Sequence, residues 1–205
     1  MEACGDEALV MKDFEKMKEQ ESGNWEYAMS IPNKGDLVGR NDVRSVQFHQ
    51  PLLEFSGACD GCGETPYVKL ITQLFGERMN IANATGCSSI WGGTAAFNPY
   101  THNARGQGPA WANSLFEDNA EFAFGFYHAQ DAIRKELLIR IEALKNAGVA
   151  AEEAAAYLAD WNDREKSREV SDALIAALEK AEQTDEVKYI LDNREFLAKK
   201  SVWAV

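Results

Sequence analysis

The sequence predicts an α/β fold, on three observations. Phe55 to Trp91 reads as a loop-helix-strand-loop unit, Ala129 to Lys200 shifts to an Ala/Glu/Lys/Leu composition of helical character, and Ser201 to Val205 returns to strand character. A helix running away from an edge and a strand running back return the chain to where it began, so both loops of the first unit are expected on one edge of a sheet. Open α/β sheets place ligands at the carboxyl ends of their strands.

The first loop carries Cys59 and Cys62 as CxxC, with Gly57, Gly61 and Gly63 around them. Glycines admit positive φ and let the backbone approach a bound group, so a tight turn is expected. Two thiolates two residues apart can hold one metal centre from a single loop. Glu64-Thr65-Pro66 then reads as a helix start, with proline in the first turn. Val68, Leu70, Ile71, Leu74 and Phe75 form the apolar side of that helix, and Gly76 is placed to end it. Met79 to Ala84 suits a short buried strand, against which Asn80 and Asn83 count, and Thr85 to Ser89 follows as a small-residue loop holding Cys87. Taken by itself, the CxxC is a weak signal, open to a zinc half-site, a dithiol redox pair or incidental core cysteines. The third cysteine weighs toward metal or cluster binding.

Composition bounds the rest. The chain has 205 residues and 45% hydrophobic content, enough for one sizeable core in a soluble globular protein. No apolar run approaches the roughly 18 residues that span a bilayer, and the acidic start MEACGDE has no signal-peptide core, so cytoplasmic residence is expected. Four unevenly spaced cysteines do not suit a secreted disulfide framework. A formal charge of -12 argues against nucleic acid or an anionic membrane as partner.

The remaining segments follow in order. Met11 to Glu21 is charged with weak helical periodicity, and Ser22 to Val46 reads as an extended connector with turn residues at Pro32 to Gly35. His49 is expected to pack or lie on the surface. Gly92 to Trp111, rich in Gly, Asn and aromatics, is expected to be a covering loop, with His102 and Arg105 on it. Ser114-x-x-Glu117 reads as a capping box opening a helix whose Phe116, Phe122, Phe124 and Phe126 are expected in the core. Ile133, Leu137, Ile141 and Leu144 continue at helical spacing to a stop at Gly148. Three more helices are expected over Ala150–Trp161, Glu165–Ala181 and Asp185–Lys199, the last capped by Thr184. Carboxylates such as Glu152, Glu153 and Glu169 read as solvated helix faces.

The strings GACDGCGETPYVKL, NATGCSSIWGG and GPAWANSLFEDNAEFAFGF closely resemble the thiamine diphosphate-binding region of the pyruvate:ferredoxin (or flavodoxin) oxidoreductase family. The match runs from about Ala8 to Lys135 and resumes at Lys200 to Val205. The resemblance implies a partial thiamine diphosphate-binding fold, a mostly parallel sheet with a helical insertion over about 129–199. It implies that residues 1–12 are the remnant of a ferredoxin-like domain end, 13–50 a connector, and 51–205 the first part of the thiamine domain. Cys59, Cys62 and Cys87 match ligands of the [4Fe–4S] cluster nearest the thiamine, and Glu64 and Cys87 match residues against the thiamine diphosphate.

Two departures qualify the resemblance. The family's fourth cluster cysteine and its GDG motif for Mg²⁺ and the diphosphate lie beyond a strand resembling Ser201 to Val205, so the chain reads as a fragment. Cys4, followed by Gly5 where the family has proline, is at best an orphan ligand. The implied parent reaction is oxidative decarboxylation of pyruvate with coenzyme A, electrons passing to ferredoxin or flavodoxin, in a homodimer with the remaining domains. No residue with a catalytic role of its own is expected within this stretch, and the isolated chain is expected to be inactive. The rivals are a beta-subunit-like piece of another 2-oxoacid:ferredoxin oxidoreductase, and a noncatalytic cysteine-based zinc or redox module.

Overall fold

A computed structural model describes residues 10–39, 42–93 and 98–205 of the chain. The chain divides into two units, Met1–His49 and Gln50–Val205. Cys4 lies outside the described residues.

In the first unit, helix α1 spans Phe14–Ser30, opened by Asp13, whose carboxylate accepts from the Lys16 N–H at 2.9 Å. The expected extended connector is thus helical over its first part, 22–30. The run EKMKEQE is rich in helix formers, and the Asp13 cap satisfies an N–H group the first turn leaves open. None of its residues is buried, so propensity and capping carry it rather than packing. Helix α2, Val43–Val46, is a single turn capped by Asp42. His49 is buried and its Nε2 lies 3.1 Å from the Val38 carbonyl, so it packs as expected.

The second unit builds a parallel sheet. Helix α3, Thr65–Phe75, starts on Pro66 in its first turn and closes at Gly76 as the sequence indicated. Strand β1, Met79–Asn83, is buried at every position. Helix α4, Cys87–Gly92, follows, where a loop was expected. Strand β2, Ala110–Asn113, begins at the end of the stretch read as a covering loop and runs past it, and β3 spans Ser201–Ala204. The order is β2-β1-β3 with both pairings parallel, registered as Ile81 on Trp111 and Ile81 on Trp203. β1 is central, and β3 stands at one side of the three strands. Phe75 of α3 packs on Trp203 with ring centroids 5.6 Å apart, which ties the helix to the sheet face bearing Ile81.

Between β2 and β3 lie four helices: α5 (Asn119–Asn146), α6 (Ala151–Asp160), α7 (Ser167–Leu178) and α8 (Asp185–Asp192). Their core is the helical-period set the sequence displays, Leu137, Ile141, Leu144, Leu174, Leu178 and Ile190, closed by Tyr157, Val187 and Leu197. Gly148 ends α5 at φ +78°, and the Thr184 hydroxyl caps α8 by accepting from Val187 N–H at 3.3 Å. The Tyr157 hydroxyl donates to the Leu197 carbonyl at 3.0 Å, fastening α6 to the run that enters β3.

Two expectations are corrected here. Ser114 is no helix cap: α5 begins at Asn119, and the Ser114 hydroxyl instead reaches Asn83 O, Leu115 O and Asn119 Oδ1. It is drawn to the sheet because its N–H continues the β1–β2 ladder, donating to Asn83 O at 2.8 Å. Nor do the phenylalanines form core, for Phe116 is 77% and Phe124 63% exposed. Consecutive aromatics at period two cannot all face one side of a helix.

Candidate cofactor-binding site

The CxxC forms the expected turn. Cys62 N–H donates to the Cys59 carbonyl at 3.0 Å, and Gly61 sits at φ +72°. Just ahead, Phe55 takes φ +54° while 73% exposed. That left-handed backbone is costly for a bulky residue and is typical of functional loops. A cavity of ≈ 250 Å³ lined by Leu53, Phe55, Ser56, Thr65, Pro66 and Lys69 flanks the turn.

Cys62 lies at the start of α3, and the local chemistry favours its thiolate. The N–H groups of Thr65 and Glu64, with the Thr65 hydroxyl, hold its thiol below the ordinary value, against partial burial and the Glu64 carboxylate. Alkylation of Cys62 by iodoacetamide, followed by peptide mass spectrometry, is therefore expected to reach half its maximal rate at lower pH than a free cysteine does. The thiolate is the attacking species, so a depressed value shifts the profile to the acid side. An unshifted profile would contradict this local geometry.

Glu64 is held from the other loop. Its carboxylate accepts from the Trp91 indole N–H at 3.3 Å, and Trp91 is only 3% exposed. Trp91 lies one helical turn beyond Cys87 on α4, so the helix that begins at Cys87 also grips Glu64. Tyr100 packs on Trp91 with centroids 6.3 Å apart. Burial, then the Glu64 charge, push its phenol up to about 12, so it stays a neutral hydroxyl beside the carboxylate. Trp111 backs the group, and a Cβ at Gly93 would overlap its ring. Glycine is required there by that close approach.

Cys87 opens α4 just after the carboxyl end of β1, and the short loop that leads to it is fixed by a polar network. Asn83, fully buried, donates through Nδ2 to Ala84 O (2.6 Å), Asn113 Oδ1 (3.0 Å) and Ser89 Oγ (3.1 Å). Ser89 Oγ donates onward to Asn113 Oδ1 at 2.8 Å and accepts from Gly86 N–H at 3.0 Å. The Thr85 hydroxyl donates to Ser114 O at 2.7 Å and accepts from Asn113 Nδ2 at 3.3 Å. Of the two asparagines that count against a buried strand, Asn83 is the anchor of the loop after it.

Cys59, Cys62 and Cys87 are all free thiols, exposed or partly so. Among the described residues no three His, Cys, Asp or Glu side chains gather as ligands of one ion would. A four-iron cluster makes a different demand, because each cysteine binds a different iron and the ligands stand farther apart. The donor set, with one thiol already biased to thiolate, suits that chemistry. His102 and Arg105 do not join this group: the His102 carbonyl accepts from the Gln50 side-chain Nε2 at 3.4 Å, and Arg105 pairs with Glu77 at 3.5 Å. Trp91, Tyr100, Asn83, Ser89 and Asn113 are site residues that sequence reasoning missed. The spacing of Trp91 four residues after Cys87, on a helix, was the one pattern that could have drawn attention to them.

No family model matches the chain. Among curated proteins, it is 49% identical over 210 residues to the mitochondrial pyruvate dehydrogenase [NADP(+)] of Euglena gracilis, which covers 100% of this chain and 12% of that protein. It is 48% identical over 207 residues to the pyruvate:ferredoxin oxidoreductase of Moorella thermoacetica (97% of this chain, 18% of that protein). It is 49% identical over 208 residues to the pyruvate-flavodoxin oxidoreductase of Enterobacter agglomerans (96% and 18%). The chain thus spans less than a fifth of the length of these relatives. No helix among the described residues is long and apolar enough to cross a membrane.

Proposed function

The chain belongs to the pyruvate:ferredoxin and pyruvate-flavodoxin oxidoreductase family, and from that premise we propose that it supplies one wall of a thiamine diphosphate site and three cysteine ligands of the adjoining [4Fe–4S] cluster. Cys59, Cys62 and Cys87 would hold the cluster, and Glu64 and Cys87 would line the thiamine. The reading is carried by the Trp91–Glu64 bond, which joins the helix begun by Cys87 to the helix start beside Cys62. When bound, the thiamine would supply a nucleophilic carbon for the 2-oxo group of pyruvate, and the cluster a one-electron acceptor beside it.

The chain's own residues prepare that chemistry. Thr65 and Glu64 N–H groups favour a thiolate at Cys62. Trp91 orients the Glu64 carboxylate from a buried position, and Tyr100 packs against Trp91. The Asn83 network holds Cys87 at the carboxyl edge of the sheet. The whole protein would oxidise pyruvate with coenzyme A in the cytoplasm, assembled with the remaining domains as a homodimer. Mg²⁺ would be held outside this stretch, and the isolated 205 residues would not turn over. Ferredoxin or flavodoxin would take the electrons. The Euglena gracilis relative, named for NADP⁺, is as similar over this stretch as the flavodoxin enzyme, so the final acceptor is chosen elsewhere.

Anaerobic reconstitution of the purified chain with iron, sulfide and an excess of small thiol as fourth ligand tests the reading. About four irons and four acid-labile sulfides per chain are expected. Cys59→Ser, Cys62→Ser and Cys87→Ser should each lose most of both, while Cys4→Ser should retain them. Zinc retained without sulfide would overturn the assignment.

A further inference from the structure

The opposite edge of the sheet carries a concentration of positive charge that the cofactor reading leaves unused. Arg78 and Lys200 directly precede the paired residues Met79 and Ser201, so they stand side by side at the amino ends of β1 and β3. The Ser201 hydroxyl donates to Arg78 O at 3.3 Å, fixing that junction. Arg168, in the first turn of α7, reaches the Glu77 carbonyl with Nη2 at 3.4 Å. Arg105 comes from the loop before β2, and its Nη2 lies 3.5 Å from Glu77 Oε1, which also accepts from Asn103 at 3.1 Å.

Three of these cations, Arg78, Arg168 and Lys200, are half-buried. Half-burying like charges together costs both desolvation and repulsion. Burial lowers the Arg168 guanidinium; Asp172 and Glu77 beside it pull the other way, and Arg105 and Arg78, smaller in effect, add to the lowering. Burial likewise lowers Lys200, opposed by Glu195, 3.7 Å away, with a smaller contribution from Arg168. Carboxylates facing the group are Glu77, Asp172 and Glu195, three against four cations, in a chain whose formal charge is -12. Local positive excess in so acidic a chain needs a reason beyond general surface composition.

We propose that Arg78, Arg105, Arg168 and Lys200 form a binding site for a phosphate-bearing small molecule at the amino edge of the sheet. Arginine forks match phosphate oxygens in pairs, and lysine adds a compact point charge. An anion there would add to the compensation that Glu77, Asp172 and Glu195 already give these half-buried cations. The site stands apart from Cys59, Cys62, Glu64 and Cys87, which belong to the carboxyl edge, so it does not depend on the thiamine reading.

Inorganic pyrophosphate is the probe, with sodium chloride at matched ionic strength and a short Glu/Asp peptide as comparisons. Calorimetric titration of the purified chain is expected to show saturable pyrophosphate binding, with a rise in Tm of about 3 °C at saturation. Arg105→Gln, at an exposed side chain, and Lys200→Gln should each weaken binding about tenfold, while Lys188→Gln on α8 should leave it unchanged. Equal stabilisation by chloride, or equal affinity in Arg105→Gln and Lys200→Gln, would overturn the proposal. So would preferential binding of the acidic peptide, which would make the cluster a protein-docking surface.

Discussion

Replacing Asn83 with leucine is expected to destabilise the chain by about 1–3 kcal/mol and to release the loop that leads to Cys87. Three acceptors share the two hydrogens of its amide, and two of them, Ser89 Oγ and Asn113 Oδ1, belong to the network that fixes Thr85 to Cys87. Leucine is close in size but leaves those oxygens short of a donor in a buried setting, which is the expensive way to lose a hydrogen bond. One term runs the other way: Asn83 Oδ1 is itself buried without a partner among the described residues, and its removal returns that cost. The net loss is therefore placed below the sum of three bonds. Chemical denaturation measures the stability, and amide hydrogen exchange at Gly86 and Cys87 reports the loop. Unchanged exchange there, even with lower stability, would show that the backbone bonds of Ala84 and Ser114 hold the loop without Asn83.

That network also marks where the sequence stopped being legible. The CxxC turn, the α3 start at Pro66 and its stop at Gly76, the Leu137/Ile141/Leu144 face, Gly148 and the Thr184 cap are all local, written in residues within a turn of one another. Each came out as the sequence indicated. What was missed is non-local. β2 is four residues of Ala-Trp-Ala-Asn, a pattern too short to announce a strand; pairing with a buried β1 makes it one. Ser114 has the spacing of a capping box, yet the sheet ladder takes its N–H first. Trp91 and Glu64 are 27 positions apart, and nothing in either segment specifies the other. The cysteines could be named because they are chemically distinctive, whereas the side chains that position them are ordinary residues made special by register.

Leu174→Ala should bring the largest stability change, a loss of about 2–5 kcal/mol. Leu174 is fully buried on α7 among Leu137, Ile141, Tyr157 and Leu178. Truncation forfeits its transfer energy and leaves a cavity that the flanking helices can only partly close. Alanine's better helix propensity returns only a few tenths of a kcal/mol. The loss should not stay among the helices. Tyr157 O–H bonds Leu197 O at 3.0 Å, and Lys199 N–H bonds Ser167 Oγ at 3.2 Å, so α6 and α7 hold the run that leads into β3. β3 in turn pairs with β1, the strand that ends at the Cys87 loop. Urea unfolding followed by far-ultraviolet circular dichroism and by tryptophan fluorescence should therefore shift together to a lower midpoint, with the slope m unchanged. Separate midpoints would mean that the helices unfold alone and that the sheet edge bearing Cys87 stands without them. A coincident shift would make the helical segment a structural support of the candidate site rather than an appendage to it.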